Sequence, residues 1–273
     1  VEHPAPALSV DVLRRNNVTV SGAPDARPIV FAHGYGCSQA MWRFVAPEFE
    51  ADHRVVLFDH VGAGGSDLSA YSPGKYDSLE GYATDLLEIL AALDLREAIV
   101  VGHSVSAMVA VVAANRDPSR IGALVLVGPS PRYTDAPGYT GGFTQEAIDG
   151  LLDSLDANYA GWAQGIAPII MGNPDRAELG AELTDSFCAT DPEIARHFAH
   201  VTFLSDNRRD LPEVTVPTLI IQTEDDVIAP TVVGRYVHEQ IPGSVLTEIP
   251  VSGHVPHLSG PVEVVAAIRA FEG

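Results

Sequence analysis

The chain has 273 residues, enough for one sizeable α/β domain with an insertion or for two small domains, and its 46% hydrophobic and 19% charged content is that of an ordinary globular protein. Its 16 basic and 36 acidic residues leave a net charge of −20, which disfavours nucleic acid and anionic membrane surfaces as partners, and Arg14-Arg15 and Arg208-Arg209 are its densest basic points. No stretch approaches 18 uninterrupted apolar residues, so no membrane span is expected. The two cysteines, Cys37 and Cys188, form no CxxC pair or disulfide framework and suit a reducing cytoplasm.

Residues 1 to 8 read as a loose tail without the basic start or apolar core of a signal sequence. Ser9 to Leu13 and Val18 to Val20 suggest a hairpin across residues 14–17. Residues 28–32 make the next strand, ending at His33-Gly34-Tyr35-Gly36, and Gln39 to Phe49 reads as a helix. A buried strand over 54–59 leads into Gly62-Ala-Gly-Gly-Ser. That loop lacks the Lys-Ser/Thr of a phosphate cradle and reads as shaping the sheet edge. From Ser78 to Leu93 apolar residues recur at helical spacing. Strands follow at 98–101 and 123–127, the first running directly into an apolar helix from Val105.

Strands that are apolar on both faces and alternate with helices predict a mostly parallel sheet covered by helices on both sides. The rhythm breaks near Gly128. Between 131 and about 205 only helical stretches fit: Gln145–Leu155, Asn158–Ala167, Arg176–Phe187 and Glu193–Leu204. Strands resume at 218–222 and 245–249, with helices at 231–240 and 262–271. The expected organisation is an α/β core of residues 1–130 and 206–273, with a four-helix cap of residues 131–205 inserted in it.

The chain is organised around Gly102-His-Ser-Val-Ser106, where a strand turns straight into a helix. Such an elbow holds a serine hydroxyl clear of the backbone at the carboxyl end of the sheet, facing a helix N-terminus. Ser104 is therefore the candidate nucleophile, although Ser106 occupies the place of a second glycine. A serine needs a base, and the base needs an acid to orient it. Ligands of such sheets sit beyond the carboxyl ends of the strands, where Asp226 and His254 follow the last two. The order Ser104, Asp226, His254 matches an elbow-type triad. Asp225 competes with Asp226, which is preferred because Pro230 lies four residues on. His257 competes with His254, which follows Gly253 in a sharp turn. The N–H groups of Tyr35 and Val105 are the candidate oxyanion hole. His254 and His257 are three apart, but no HExxH or cysteine cluster accompanies them, so neither metal nor cofactor is expected. Cys37 reads as a small buried residue.

With these residues the chain resembles the α/β-hydrolase superfamily. More narrowly, it resembles the group containing the bacterial stress-response regulator RsbQ and the plant karrikin and strigolactone receptors. Ala32-His-Gly-Tyr-Gly-Cys37, Met41-Trp-Arg-Phe44, Gly102-His-Ser-Val-Ser-Ala107, Gly128-Pro-Ser-Pro-Arg-Tyr133, Gly141-Gly-Phe143 and Ser252-Gly-His254 carry the resemblance, and Ser106 fits it. It implies a V-shaped four-helix cap, an apolar pocket lined by Phe143, Trp162 and Phe203, and slow turnover of small apolar esters or lactones. For RsbQ it implies signalling through a partner phosphatase. Tyr35 stands where the group has phenylalanine, with consequences expected at the pocket mouth. A single lysine, Lys75, among otherwise arginine cations is a usage typical of high-GC bacteria.

Overall fold

The computed structural model describes residues 8–273, with side chains from residue 11 onward. All but the last residue of the expected N-terminal tail therefore lies outside the described residues. The described residues form ten α-helices and seven strands. They begin with α1 (Leu8–Arg15), β1 (Thr19–Gly22), β2 (Pro28–Ala32), β3 (Arg54–Phe58), α2 (Leu79–Ala92), β4 (Ala98–His103), α3 (Val105–Arg116) and β5 (Ile121–Val127). Four helices follow, α4 (Gln145–Ala157), α5 (Tyr159–Met171), α6 (Ala177–Ala189) and α7 (Pro192–Phe203). The chain then returns through β6 (Thr218–Glu224), α8 (Thr231–Gln240), β7 (Val245–Ser252), α9 (Pro256–Ser259) and α10 (Pro261–Glu272).

The strands form one sheet in the order β1-β3-β2-β4-β5-β6-β7, parallel throughout except for β1. Alternate side chains of each strand feed different cores. Ile29, Phe31, Ile99 and Val101 pack with Trp42, Phe49 and Ile268 on one face. Val30, Ala32, Ala98 and Val100 pack with α2 and α3 on the other. Double-sided burial explains why the strand sequences are continuous apolar runs. Helix α3 is buried from Val105 to Ala114 and has no polar face, as its composition requires.

Two expectations change. The predicted hairpin at the N-terminus is a helix followed by an edge strand. Asp11 in the first turn and Arg14 and Arg15 in the last suit the helix dipole, and Arg15 bridges Asp85 and Glu88 of α2 at 2.9 and 2.7 Å. The predicted helix at 39–49 is two short 3-10 turns, Gln39–Trp42 and Ala46–Phe49. Pro47, in the first positions of the second turn, lacks the amide proton that a continuous helix would bond to Arg43 C=O.

The sheet order reverses between β2 and β4: from β2 the chain moves outward to β3, and from β4 it moves the other way to β5. In a parallel sheet this switch point opens a crevice beyond the carboxyl ends of the two strands. The pair Ala32–Gly102 is the last register of β2 on β4, so His33-Gly34-Tyr35 and Ser104 emerge side by side at that crevice.

Candidate active site

Ser104 joins β4 to α3 with φ 56° and ψ −123°, a conformation that L-residues rarely adopt. The surroundings enforce it. Its N–H donates to Val127 C=O on β5 at 2.8 Å, and its C=O accepts from Ala107 N–H at 2.9 Å. Gly102 is obligatory, because a Cβ there would overlap the Ser106 carbonyl oxygen. Ser106, the residue in the second glycine's place, has a structural use. Its hydroxyl donates to His33 C=O and accepts from His60 Nε2–H at 2.7 Å, tying the elbow to the loop after β2.

His254 Nε2 lies 2.7 Å from Ser104 Oγ, and its Nδ1 lies 2.8 Å from Asp226 Oδ2. The other carboxylate oxygen of Asp226 accepts the N–H groups of Ile228 and Ala229 at 2.8 and 2.9 Å. A buried carboxylate held by two amides and a ring N–H is oriented as well as charged. Asp225, the alternative acid, is exposed and plays no part in this chain of bonds. His257, the alternative base, is buried against the Trp42 ring, with centroids 4.3 Å apart, and neither ring nitrogen has a hydrogen-bond partner among the described residues. Burial and the neighbouring His254 lower its pKa to about 3. It is a neutral packing residue.

The loop carrying His254 is braced from an element the sequence did not connect to it. Gly253 has φ 90°, and a Cβ there would overlap the Met171 carbonyl oxygen at the end of α5. His254 N–H donates to Ile170 C=O at 3.0 Å, and the Asn173 side-chain amide donates to both Met171 and Ser252 C=O at 2.6 and 3.0 Å. In sequence, Gly172-Asn-Pro reads only as a helix stop.

Gly34 packs against Ser104 so closely that a Cβ would come within 3.3 Å of the serine Cβ. This sets the Tyr35 amide next to the elbow. Val105 is the first residue of α3, where N–H groups have no acceptor within the helix. The Tyr35 hydroxyl is not at a pocket mouth: it donates to Ala195 C=O on α7 at 3.0 Å, and burial raises its pKa well above the usual phenol value.

Ser104 and His254 line a narrow cavity with about 30 Å³ of room, well below the usual range of small-molecule sites. Its walls include Tyr35, Cys37, Tyr133, Ile170, Phe187, Thr202 and Phe203. Of the three expected lining aromatics, Phe203 is on the wall. Trp162 stands one layer back, stacked on Phe187 at 5.8 Å. Phe143 is half-buried outside the wall, because its backbone is paired with the loop at Tyr133 and Asp135 (3.2 and 2.8 Å). Tyr133 and Phe187 are on the wall as well; periodicity marks such residues as buried but does not tell a cavity wall from a core. Cys37 is buried, and burial pushes its thiol pKa up to about 12, which leaves it unreactive. The loop Gly62–Ser66 wraps an acid of its own chain: Gly65 N–H donates to Asp59 at 2.9 Å, alongside Asn17 and Gln39. Among the described residues no cluster of metal-ligating side chains occurs, and no helix is long and apolar enough to cross a membrane.

A family profile described as the alpha/beta hydrolase family matches residues 29–268. The chain is 39% identical over 254 residues to a probable esterase of Oryza sativa subsp. japonica, covering 93% of this chain and 94% of that one. It is 37% identical over 254 residues to the karrikin insensitive 2 receptor CA of Petunia hybrida, covering 93% and 94%. The solved structure of a hydrolase from Oleispira antarctica superimposes with a TM-score of 0.93 at 42% identity, covering 96% of each chain.

Proposed function

The chain belongs to the α/β-hydrolase family, and from that membership we propose that it is a serine hydrolase cleaving a small apolar carboxylic ester or lactone. The observation that carries this reading is the continuous hydrogen-bonded chain Asp226–His254–Ser104, ending at a largely apolar cavity.

In the proposed mechanism Ser104 Oγ attacks the ester carbonyl as its proton passes to His254 Nε2. The Asp226 carboxylate holds the Nδ1–H and stabilises the imidazolium. The oxyanion of the tetrahedral intermediate accepts hydrogen bonds from the N–H groups of Tyr35 and Val105, the second at the positive end of the α3 dipole. Collapse breaks the C–O bond, and His254 gives its proton to the departing alkoxide. Water then attacks the acyl carbon as its proton passes to His254, the C–Oγ bond breaks, Ser104 Oγ takes that proton back, and the acid leaves. We assign residues 131–205 the role of a cap over a core formed by residues 1–130 and 206–273. No cofactor enters this scheme. The two free cysteines suit a cytoplasmic location.

Incubation with a fluorophosphonate probe followed by peptide mapping tests the assignment, with labelling expected at Ser104 alone. Ser104→Ala is expected to abolish labelling and lower ester turnover by roughly 10³- to 10⁶-fold. Unchanged hydrolysis by that variant refutes the reading.

The karrikin receptor relative favours a second reading, in which the same site senses a ligand and turns it over slowly. The phosphatase partner implied by the RsbQ resemblance gains no support from the relatives named above. Turnover well above about 1 s⁻¹, with no protein captured in a ligand-dependent way, decides for the enzyme reading.

A further inference from the structure

The cavity wall contains a hydroxyl that the proposed mechanism leaves idle. Thr202, near the end of α7, is 1% exposed and lines the cavity, and its hydroxyl has no hydrogen-bond partner among the described residues. A threonine inside a helix ordinarily resolves this locally by donating to the carbonyl four residues back. Thr84 does so to Glu80 and Thr184 to Gly180, each at 2.8 Å. For Thr202 the corresponding carbonyl is that of Phe198, and the bond is not made. Valine has the same shape without a hydroxyl to leave unpaired in an apolar wall, so the hydroxyl is costly unless something else binds it.

Most other polar atoms on the wall have partners. Ser104 and His254 bond to one another, and the Tyr35 hydroxyl is committed to Ala195. The Tyr133 hydroxyl adjoins Ser104. His103 Nδ1 is unpaired too, but His103 Nε2–H donates to His254 C=O at 2.7 Å, so Nδ1 is a bare acceptor, and it packs on Gly34 beside the elbow. Thr202 is carried instead by a helix of the insertion, beside Phe203, on a wall shared with Phe187, Leu183 and Ile170. Among the described residues no Lys, Arg, Asp or Glu is on the wall, so the missing partner is a neutral group.

Resting on the ester or lactone reading above, we propose that the substrate carries a second, neutral hydrogen-bond-accepting oxygen, remote from the scissile carbonyl, which the Thr202 hydroxyl binds. A keto, ether or hydroxyl oxygen has this chemistry; a plain hydrocarbon acyl chain does not. Thr202 is then a specificity-determining residue, and the preference it confers is between substrates of equal intrinsic reactivity.

The test compares 4-nitrophenyl pentanoate with 4-nitrophenyl 4-oxopentanoate, and 4-nitrophenyl hexanoate with its 5-oxo analogue, so that the leaving group is constant and the extra oxygen is tried at two distances. For wild type, kcat/KM is expected to favour the oxo ester in at least one pair. In Thr202→Val that ratio falls roughly fivefold to tenfold, the size of one neutral hydrogen bond, and Thr202→Ser restores it. A ratio that is the same in all three proteins for both pairs overturns the proposal. Failure of the hydrolase reading looks different, because wild type then cleaves neither member of a pair. Calorimetric titration of the same esters into Ser104→Ala, with and without Thr202→Val, removes turnover from the comparison. A preference for the oxo ester that the second substitution abolishes supports the proposal, and equal affinities overturn it.

Discussion

The two walls of the cavity are built by different physics. On the sheet side, His103, Ser104 and His254 stand at strand ends and are held by directional bonds to Val127, Ile170 and one another, with left-handed backbone at Ser104 and Gly253. On the helical side, shape comes from ring packing. The Tyr35 ring is the hub, 5.7 to 6.3 Å from Trp162, Phe187, Phe198 and Phe203. Hydrogen bonds set atoms to within a few tenths of an ångström, whereas stacked rings tolerate sliding and exchange of similar volumes. Precision is therefore concentrated where bonds would break, and adaptability where a ligand would be selected.

Substitutions can break this division. On the sheet side, Asp226→Asn keeps the shape but favours the wrong histidine tautomer, and kcat is expected to fall by about 10⁴-fold. Asp225→Asn, one residue away and exposed, serves as the control in the same steady-state assay. Equal losses in the two variants would mean that the buried carboxylate has no special place.

Buried groups around the site titrate at opposite ends of the pH scale. Burial lowers the pKa of His33, His60, His103 and His257, the last to about 3. The unfolded chain binds protons at these residues below about pH 6.5, and the folded chain does so only at lower pH. Their contribution to stability is thus complete above pH 6.5 and is lost as the pH falls below it; for His257 the loss runs at about 1.4 kcal/mol per pH unit down to about pH 3. His257→Phe, which retains a ring over Trp42, should flatten the acid limb of Tm against pH. Among the tyrosines, burial raises the pKa of Tyr35 and Tyr133, and that of Tyr159 to about 12. The unfolded chain loses phenol protons first, so stability falls as the pH rises above 10.

Smaller effects sharpen it. Phe187→Leu removes part of the aromatic wall while leaving the bonds to Ser104 intact, and KM is expected to rise roughly tenfold with a lesser change in kcat, the signature of lost uniform binding. Tyr35→Phe deletes the bond to Ala195 between the two walls. Calorimetry should register a loss of about 1 kcal/mol, and an unchanged Tm would mean that the phenol contributes nothing to holding α7.

Much of this arrangement is legible without coordinates. Continuous apolar runs over 98–101 and 219–221 can be satisfied only by strands buried on both faces, and Gly-His-Ser-Val-Ser at the end of one of them marks the elbow. The N-terminal hairpin failed because a short amphipathic segment supports either period until a partner chooses, and the acids of α2 chose the helix. The cap aromatics failed in part for a related reason: Phe143, Trp162 and Phe203 differ little in local pattern, yet one lines the cavity, one stacks behind it and one sits in a loop.

By itself the sequence determined the alternation of strands and helices, the long helical interruption, and the strand ends at which Ser104, Asp226 and His254 emerge. Burial preference and turn chemistry are local, and they are written in neighbouring residues. Tertiary structure alone decided that Asp226 rather than Asp225 meets the imidazole, that His257 packs against Trp42, that the end of α5 holds the His254 loop, and that the Thr202 hydroxyl has no partner among the described residues. Those outcomes depend on contacts such as the one between residues 104 and 254, 150 positions apart. Only the assembled sheet and the helices folded over it bring such residues within a hydrogen bond's length.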